Sequence, residues 1–267
     1  MEKYTRLLTI AGSDSGGGAG IQADLKTFSA CGCYGMSAIT ALTAQNTLGV
    51  TDIYPVATPF LEAQLRAVLD DIGVDAIKIG MLHSTEVIEC VAAILKEYKC
   101  MKVVLDPVMV ATSGHKLIED DAIAALKEVL FPAVQLITPN IPEAQLISGK
   151  SINGAESLES VARELAERHD LAVLLKAGHL TDEYLEDVLV DGDVESRYRQ
   201  KRLETKNTHG TGCTLSSAIA SFWGRGFELA EAVNRAEGYL HGAITKGAEY
   251  SLGQGHGPVH HFHQVWK

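Results

Sequence analysis

Positive charge is in short supply. With 23 Lys and Arg against 34 Asp and Glu in 267 residues, the formal charge is −11. That sign excludes a chain built to neutralise nucleic-acid phosphates or to lie on an anionic bilayer, and leaves small molecules as the expected partners. Long apolar runs are missing too. The longest uncharged stretch, residues 27–51, is broken by Gln45, Asn46 and several Thr, Ser and Gly, so it reads as soluble core and loop. The segment Met1–Arg6 leads straight into a strand with no apolar leader, so secretion is not expected. Cysteine is scarce and unpaired: Cys31, Cys33, Cys90, Cys100 and Cys213 are odd in number and contain no C-x-x-C. This excludes a disulfide framework or a zinc ribbon and fits a reduced, cytoplasmic chain. At 46% hydrophobic and 21% charged, the composition excludes disorder, collagen and coiled coil. No repeat or low-complexity linker divides the chain, and a single domain over residues 1–267 is expected.

What is present is alternation. Short apolar runs at Leu7–Ala11, Met36–Ala41, Ala76–Ile79, Val103–Leu105, Gln135–Ile137 and Ala172–Leu175 read as strands. Between or beyond them, Phe60–Asp70, Thr85–Tyr98, Ala122–Leu130, Leu158–Arg168 and Leu229–Lys246 carry apolar residues three and four apart. Repeated βαβ units predict an α/β fold with a mostly parallel sheet and helices on both faces. Asp191-Gly192-Asp193 between two strand-like runs predicts an antiparallel hairpin, and 253–263 reads as an irregular tail.

Two glycine-rich segments carry the chemistry. Gly12-Ser13-Asp14-Ser15-Gly16-Gly17-Gly18-Ala19-Gly20 follows a strand and opens a helix, where bare backbone lets a ligand come close. It is not a dinucleotide fingerprint, because no acid falls between Asp24 and Asp52, and it lacks the G-K-[ST] of a Walker loop. The second, Asn207-Thr208-His209-Gly210-Thr211-Gly212-Cys213-Thr214, also opens a helix. Free amides at Gly210, Thr211, Gly212 and Cys213, reinforced by the helix dipole, make an anion site suited to a phosphoryl group in transfer. In that turn Cys213 is either a thiol whose pKa the helix terminus and His209 draw towards neutrality, or a packed structural cysteine. Asp106 and Glu143, each after a strand, are either ligands for Mg²⁺ or a turn residue and a first-turn helix charge. Lys176 ends another strand, placed to reach a phosphate or simply solvated. The clustered histidines at 256–263 form no closed coordination set, and Cys31-x-Cys33 is expected to pack a helix end.

Together with Gln45-Asn46-Thr47, Lys78-Ile79-Gly80-Met81, Asp106-Pro107-Val108-Met109, Thr138-Pro139-Asn140-Ile141-Pro142-Glu143 and the ending Gly257-Pro258-Val259-His260-His261-Phe262-His263, these segments resemble the hydroxymethylpyrimidine/phosphomethylpyrimidine kinases of thiamine biosynthesis. The resemblance runs over nearly the whole chain. It implies a ribokinase-like three-layer α/β/α domain, a homodimer, that uses ATP and Mg²⁺ to phosphorylate an aminopyrimidine alcohol and then its monophosphate. It implies a pyrimidine pocket of Gln45, Gly12, Ala19, Asp24, Met81 and Val108, with the Gln45 amide reading the ring edge. Nucleotide contacts would fall to Lys176, Asn140 and Thr208, metal contacts to Asp106 and Glu143, and catalysis to Cys213 with Gly210, Thr211 and Gly212. The superfamily generally has Asp where Cys213 stands. The alternative is a pyridoxal kinase of the same lineage, but that subgroup typically adds a flap cysteine, and Val108–His115 has none.

Overall fold

Apolar side chains of the central strands alternate between two helical layers. In the computed structural model, which describes residues 2–109, 120–178 and 183–266, the chain runs β1 (Arg6–Asp14), α1 (Gly20–Ala30), β2 (Tyr34–Asn46), β3 (Gly49–Pro55), α2 (Thr58–Asp71), β4 (Ala76–Ile79), α3 (Thr85–Glu97) and β5 (Val103–Leu105). It continues through α4 (Asp120–Ala125), β6 (Leu136–Ile137), α5 (Ile141–Ser148), α6 (Ala155–His169), β7 (Ala172–Leu175), β8 (Tyr184–Asp191), β9 (Val194–Lys201), α7 (Thr211–Gly224) and α8 (Leu229–Gly247). Leu8, Ile10, Ile77, Ile79, Val103 and Leu105 face one buried core, built with α2, α3, α5 and α6. The intervening Leu7, Ala76 and Val104 face a second, built with α1, α7 and α8. A period of two on fully buried strands is what divides these residues.

The nine strands lie in the order β3-β2-β1-β4-β5-β6-β7-β8-β9. From β2 to β7 all neighbours are parallel, whereas β3, β8 and β9 pair antiparallel. The fold is therefore the expected three-layer α/β/α. The chain winds from β1 to β2 on one side and returns to β4 on the other, so the sheet reverses direction of winding at β1. Ligands of open α/β sheets bind outside the carboxyl ends of strands at such a point.

The hairpin at Asp191–Val194 is where its Asp-Gly turn places it. β3 was not legible, because it buries only Val50 and so carries no apolar alternation; backbone pairing to β2 holds it. β1 also runs past Ala11 to Asp14, which keeps Ser13 and Asp14 in register with Leu42 and Thr43. The expected helix over Ala122–Leu130 starts at Asp120, and after Ala125 it widens into a π turn over Leu126–Leu130 before Phe131-Pro132. Pro132 has no amide to continue it. Cys31 caps the end of α1 and Cys33 follows it, both buried.

The α1/α7 layer contains one polar cluster. The period that sends Ile77 and Ile79 one way sends Lys78 the other, where its ammonium lies 2.9 Å from both oxygens of Asp24 on α1. Thr9 and Ser217 donate to the same carboxylate at 2.6 and 2.7 Å. All four side chains are buried. Burial alone would lower the Lys78 pKa, but the charges of Asp24 and Asp106 and the hydrogen bonds to Asp24 outweigh it and hold the ammonium raised. Burial likewise pushes Asp24 up against the ammonium and hydroxyl donors; four donor contacts on one carboxylate keep the pair ionised.

Removing one partner of such a pair strands the other charge. Asp24→Leu is expected to cost about 3–5 kcal/mol in urea denaturation, with much of it recovered when Lys78→Met is added. A single-variant loss under about 1 kcal/mol, the range of an exposed pair, would contradict a buried, charged pair.

Candidate active site

At the carboxyl edge of the sheet a cavity of about 700 Å³ opens. Its functional groups arrive from strand ends: Asp14 closes β1, Met81 follows β4, Asp106 follows β5, Asn140 follows β6 and Lys176 follows β7. Gly12, Ala19, Gln45, Met81 and Val108 line one end. Thr208, Gly210, Thr211, Gly212 and Cys213 line the cavity with Asp106, Asn140, Glu143 and Lys176. Asp24 is not on the wall. It was expected in the pyrimidine pocket, but one helical turn beyond Gly20 its side chain points into the α1/α7 layer, where Lys78 holds it. Lys78 itself reaches the cavity.

The two glycine loops touch. Gly210, the residue before α7, has φ 81°, and a Cβ there would fall 1.9 Å from the carbonyl oxygen of Gly18. Only glycine allows both the left-handed backbone and this approach. A side-chain contact clasps the loops: His209 Nε2 lies 2.9 Å from Asp14 Oδ2. Asp14 also accepts the amides of Gly16, Gly18 and Ala19 at 2.8, 3.0 and 2.8 Å. Burial works to raise the Asp14 carboxyl, yet these donors and His209 overcome it and hold it below the usual carboxylate range. Gln45 stands beside the clasp, its Nε2 3.5 Å from His209 Nε2 and its Oε1 accepting from Thr43 at 3.1 Å.

The carboxyl-terminal segment buttresses the second loop, so it is more than an irregular tail. The His209 amide donates to Gly257 O at 3.0 Å, and His261 Nε2 lies 3.1 Å from Thr214 Oγ1 in α7. Burial, with Lys26 and the neighbouring histidines, lowers His261 to about 3, so it packs as a neutral ring.

In the first turn of α7 the Thr211 amide donates to Thr208 O at 3.3 Å and the Thr214 amide to Gly210 O at 2.8 Å, which leaves the amides of Gly212 and Cys213, two cavity-lining residues at the positive helix end, for a ligand. Cys213 sits in this turn, but its thiol is not activated by it. Burial pushes it up to about 11, with Asp24 and Asp106 adding to the rise, while Lys78 and the Gly20 amide oppose it. His209, expected to assist, is turned to Asp14. Desolvation is thus the largest influence on this thiol.

Opposite the helix end, Lys176 donates to Asp106 Oδ1 at 2.9 Å and Thr138 Oγ1 donates to the same oxygen at 3.2 Å. Glu143 closes a capping box on α5, accepting from the Asn140 amide at 2.8 Å while Asn140 Oδ1 accepts from the Glu143 amide. It therefore caps a helix and faces the cavity at once. Burial, with Asp106 nearby, raises it to about 7 against the pull of Lys176. Two buried carboxylates are hard oxygen donors of the kind Mg²⁺ takes. Among the described residues no group of three His, Cys, Asp or Glu could hold an ion. A metal here would draw its remaining ligands from phosphate and water.

Sequence reasoning passed over Asp14, His209 as its partner, and Lys78. A lysine inside the apolar run Ala76–Ile79 was the available signal for the last. The flap compared with pyridoxal kinases falls largely in residues 110–119, outside the described residues.

Because the Cys213 thiol stays protonated, its alkylation by iodoacetamide in the unliganded chain, followed by peptide mass, is expected to speed up about tenfold per unit between about pH 7 and 10. A plateau near pH 8 would mean an activated thiolate and would contradict the burial argument.

Comparison with known proteins agrees with this geometry. The family profile described as phosphomethylpyrimidine kinase matches residues 14–260. The hydroxymethylpyrimidine/phosphomethylpyrimidine kinase of Rhizobium meliloti (strain 1021) is 51% identical over 261 residues, covering 97% of this chain and 98% of that protein. The crystal structure of phosphomethylpyrimidine kinase from Clostridium difficile 630 superposes with a TM-score of 0.80 at 44% identity, over 90% of this chain and 99% of that one. An ADP complex of Bacillus subtilis pyridoxal kinase superposes with a TM-score of 0.91 at 36% identity, over 99% and 100%. The chain belongs to the phosphomethylpyrimidine kinase family, and it is a phosphotransferase.

Proposed function

We propose that this chain transfers the terminal phosphoryl group of ATP to the hydroxymethyl oxygen of 4-amino-5-hydroxymethyl-2-methylpyrimidine, and then a second one to the resulting monophosphate, in thiamine biosynthesis. The observation that carries this is one continuous cavity joining the Gln45 end to the α7 amides, Lys176 and the two carboxylates. The Gln45 amide donates and accepts at once, as an aminopyrimidine edge requires, above a floor of Gly12, Met81 and Val108. A Cβ on Gly12 would meet Met81 Cε at 2.6 Å and push that flexible side chain aside, changing the floor of the pocket.

The α7 amides and Lys176 hold the phosphoryl oxygens and stabilise the charge that develops there. Asn140 keeps its amide nitrogen free for the nucleotide, since only its oxygen is used in the capping box. Thr208 lies beside the anion loop. Asp106 and Glu143 would hold Mg²⁺, which when bound neutralises triphosphate charge. Cys213, protonated, keeps the acceptor hydroxyl in line with the phosphoryl group. A loose transition state asks little of a base: the acceptor oxygen bonds to phosphorus as the bond to the ADP oxygen breaks, and the hydroxyl proton passes to a phosphate oxygen and on to water.

Pyridoxal kinases share the fold closely, so substrate choice rests on the pocket. The relatives named for the pyrimidine substrate reach 51% identity, against 36% for the Bacillus subtilis pyridoxal kinase. An ADP-release assay with product masses, offering the pyrimidine alcohol, its monophosphate and pyridoxal, decides. Turnover of both pyrimidines with little on pyridoxal is expected; turnover of pyridoxal alone would overturn the substrate assignment.

A homodimer is part of the proposal. The facing residues Leu42 and Tyr54 of β2 and β3 are 45% and 72% exposed, beside exposed Phe60. An apolar pair on a free sheet face suits a second copy. Light scattering at micromolar concentration should give twice the chain mass; a monomer would contradict it. A cytoplasmic site fits five free thiols, and no helix among the described residues is long and apolar enough to cross a membrane.

A further inference from the structure

Four carboxyls surround one ammonium at the nucleotide end. Besides Asp106 and Glu143, Lys176 feels Asp187 of β8 and Glu237 of α8. The latter two are hydrogen-bonded carboxyl to carboxyl, and Asp187 Oδ1 accepts the Ala177 amide at 2.7 Å. Glu237 is only 6% exposed, and its Oε1 has no hydrogen-bond partner. Both residues line the cavity, yet phosphoryl transfer as proposed gives them no task. A buried acceptor without a donor is costly, so this oxygen is built for a donor that the chain does not supply.

Where the pair lies says which donor. A triphosphate cannot rest against two carboxyls, so the phosphates belong on the other side of Lys176, at the α7 amides. Along α8 the cavity-lining residues after Glu237 are Leu240, His241 and Ile244, on the same helical face by spacing. Along β8, Leu185 lies two residues from Asp187 and lines the same cavity. Counting outward from the anion site, the wall therefore reads ammonium, carboxyl pair, then Leu185, Leu240 and Ile244 with His241 among them. A nucleoside triphosphate in that direction reads phosphates, sugar hydroxyls, then base. Carboxyl groups are the acceptors that a vicinal diol needs, as they are for ribose in dinucleotide sites.

We infer that Asp187 and Glu237 bind the ribose hydroxyls of the phosphoryl donor, the Glu237 side chain turning its unpartnered oxygen to the cavity that it lines, and thereby select ribonucleotides. This rests on the proposed kinase function and assigns its sugar subsite.

The test is steady-state phosphorylation of the pyrimidine alcohol by the full chain with ATP or with 2′,3′-dideoxy-ATP as donor. The expected kcat/KM ratio favours ATP by about tenfold or more, expressed mainly in KM, the scale of a hydrogen bond to a carboxyl group. In Glu237→Leu that ratio should collapse towards one. Equal use of the two donors by the unaltered chain would overturn the inference, whether or not the variant folds. So would a Glu237→Leu enzyme that kept the preference. Absence of turnover with either donor would fall on the proposed function itself and take the sugar subsite with it.

Discussion

Two loops far apart in sequence have to meet for this site to exist, and the Asp14–His209 contact at 2.9 Å is where they do. Asp14 gathers the amides of its own loop, so the side chain that fixes the first glycine-rich segment also receives the second. Gly210 makes the approach possible, with no room for a Cβ against the Gly18 carbonyl. The consequence is geometric. The wall expected to hold the acceptor and the helix end expected to hold the phosphoryl group are set against each other by one side-chain hydrogen bond and one glycine. The carboxyl-terminal segment backs the same loop, through Gly257 and His261.

Charge management follows from the burial this creates. The cavity is lined with acids, yet it is expected to receive a polyanion. Lys176 lies among carboxyls above the α7 amides, and Lys78 lies beneath Cys213, compensated by Asp24 from within the α1/α7 layer. The acids that remain divide by position. Asp106 and Glu143 sit where a divalent ion could neutralise them, whereas Asp187 and Glu237 share a hydrogen bond beyond Lys176. Low dielectric makes each arrangement count, and the same burial keeps Cys213 a neutral thiol instead of a resident base.

Much of the fold was legible because the central strands are buried on both faces and bounded by Gly, Pro, Asp or Asn, and because helix period separates them. β3 was not, since a strand that buries only Val50 writes no pattern. The glycine loops announced themselves through composition and through what they lack. Asp24 was misplaced because motif membership says nothing about which way a helical side chain turns; one turn into α1 it faces Lys78, not the cavity. The activated thiol failed for a related reason. Sequence shows the helix terminus and the histidine, but not the burial that raises the thiol or the Asp14 that occupies the histidine. The acid pair was invisible, because Asp187 and Glu237 come from distant elements and only the fold brings them together.

The most direct test of the clasp is a single-turnover measurement on His209→Ala. Phosphoryl transfer from saturating MgATP to the pyrimidine alcohol would be timed, with binding of each ligand alone measured separately. If the contact aligns two otherwise complete half-sites, transfer falls by about 10²-fold or more while each ligand still binds, as a misplacement near 1 Å would produce. A transfer rate unchanged from the unaltered chain would contradict it.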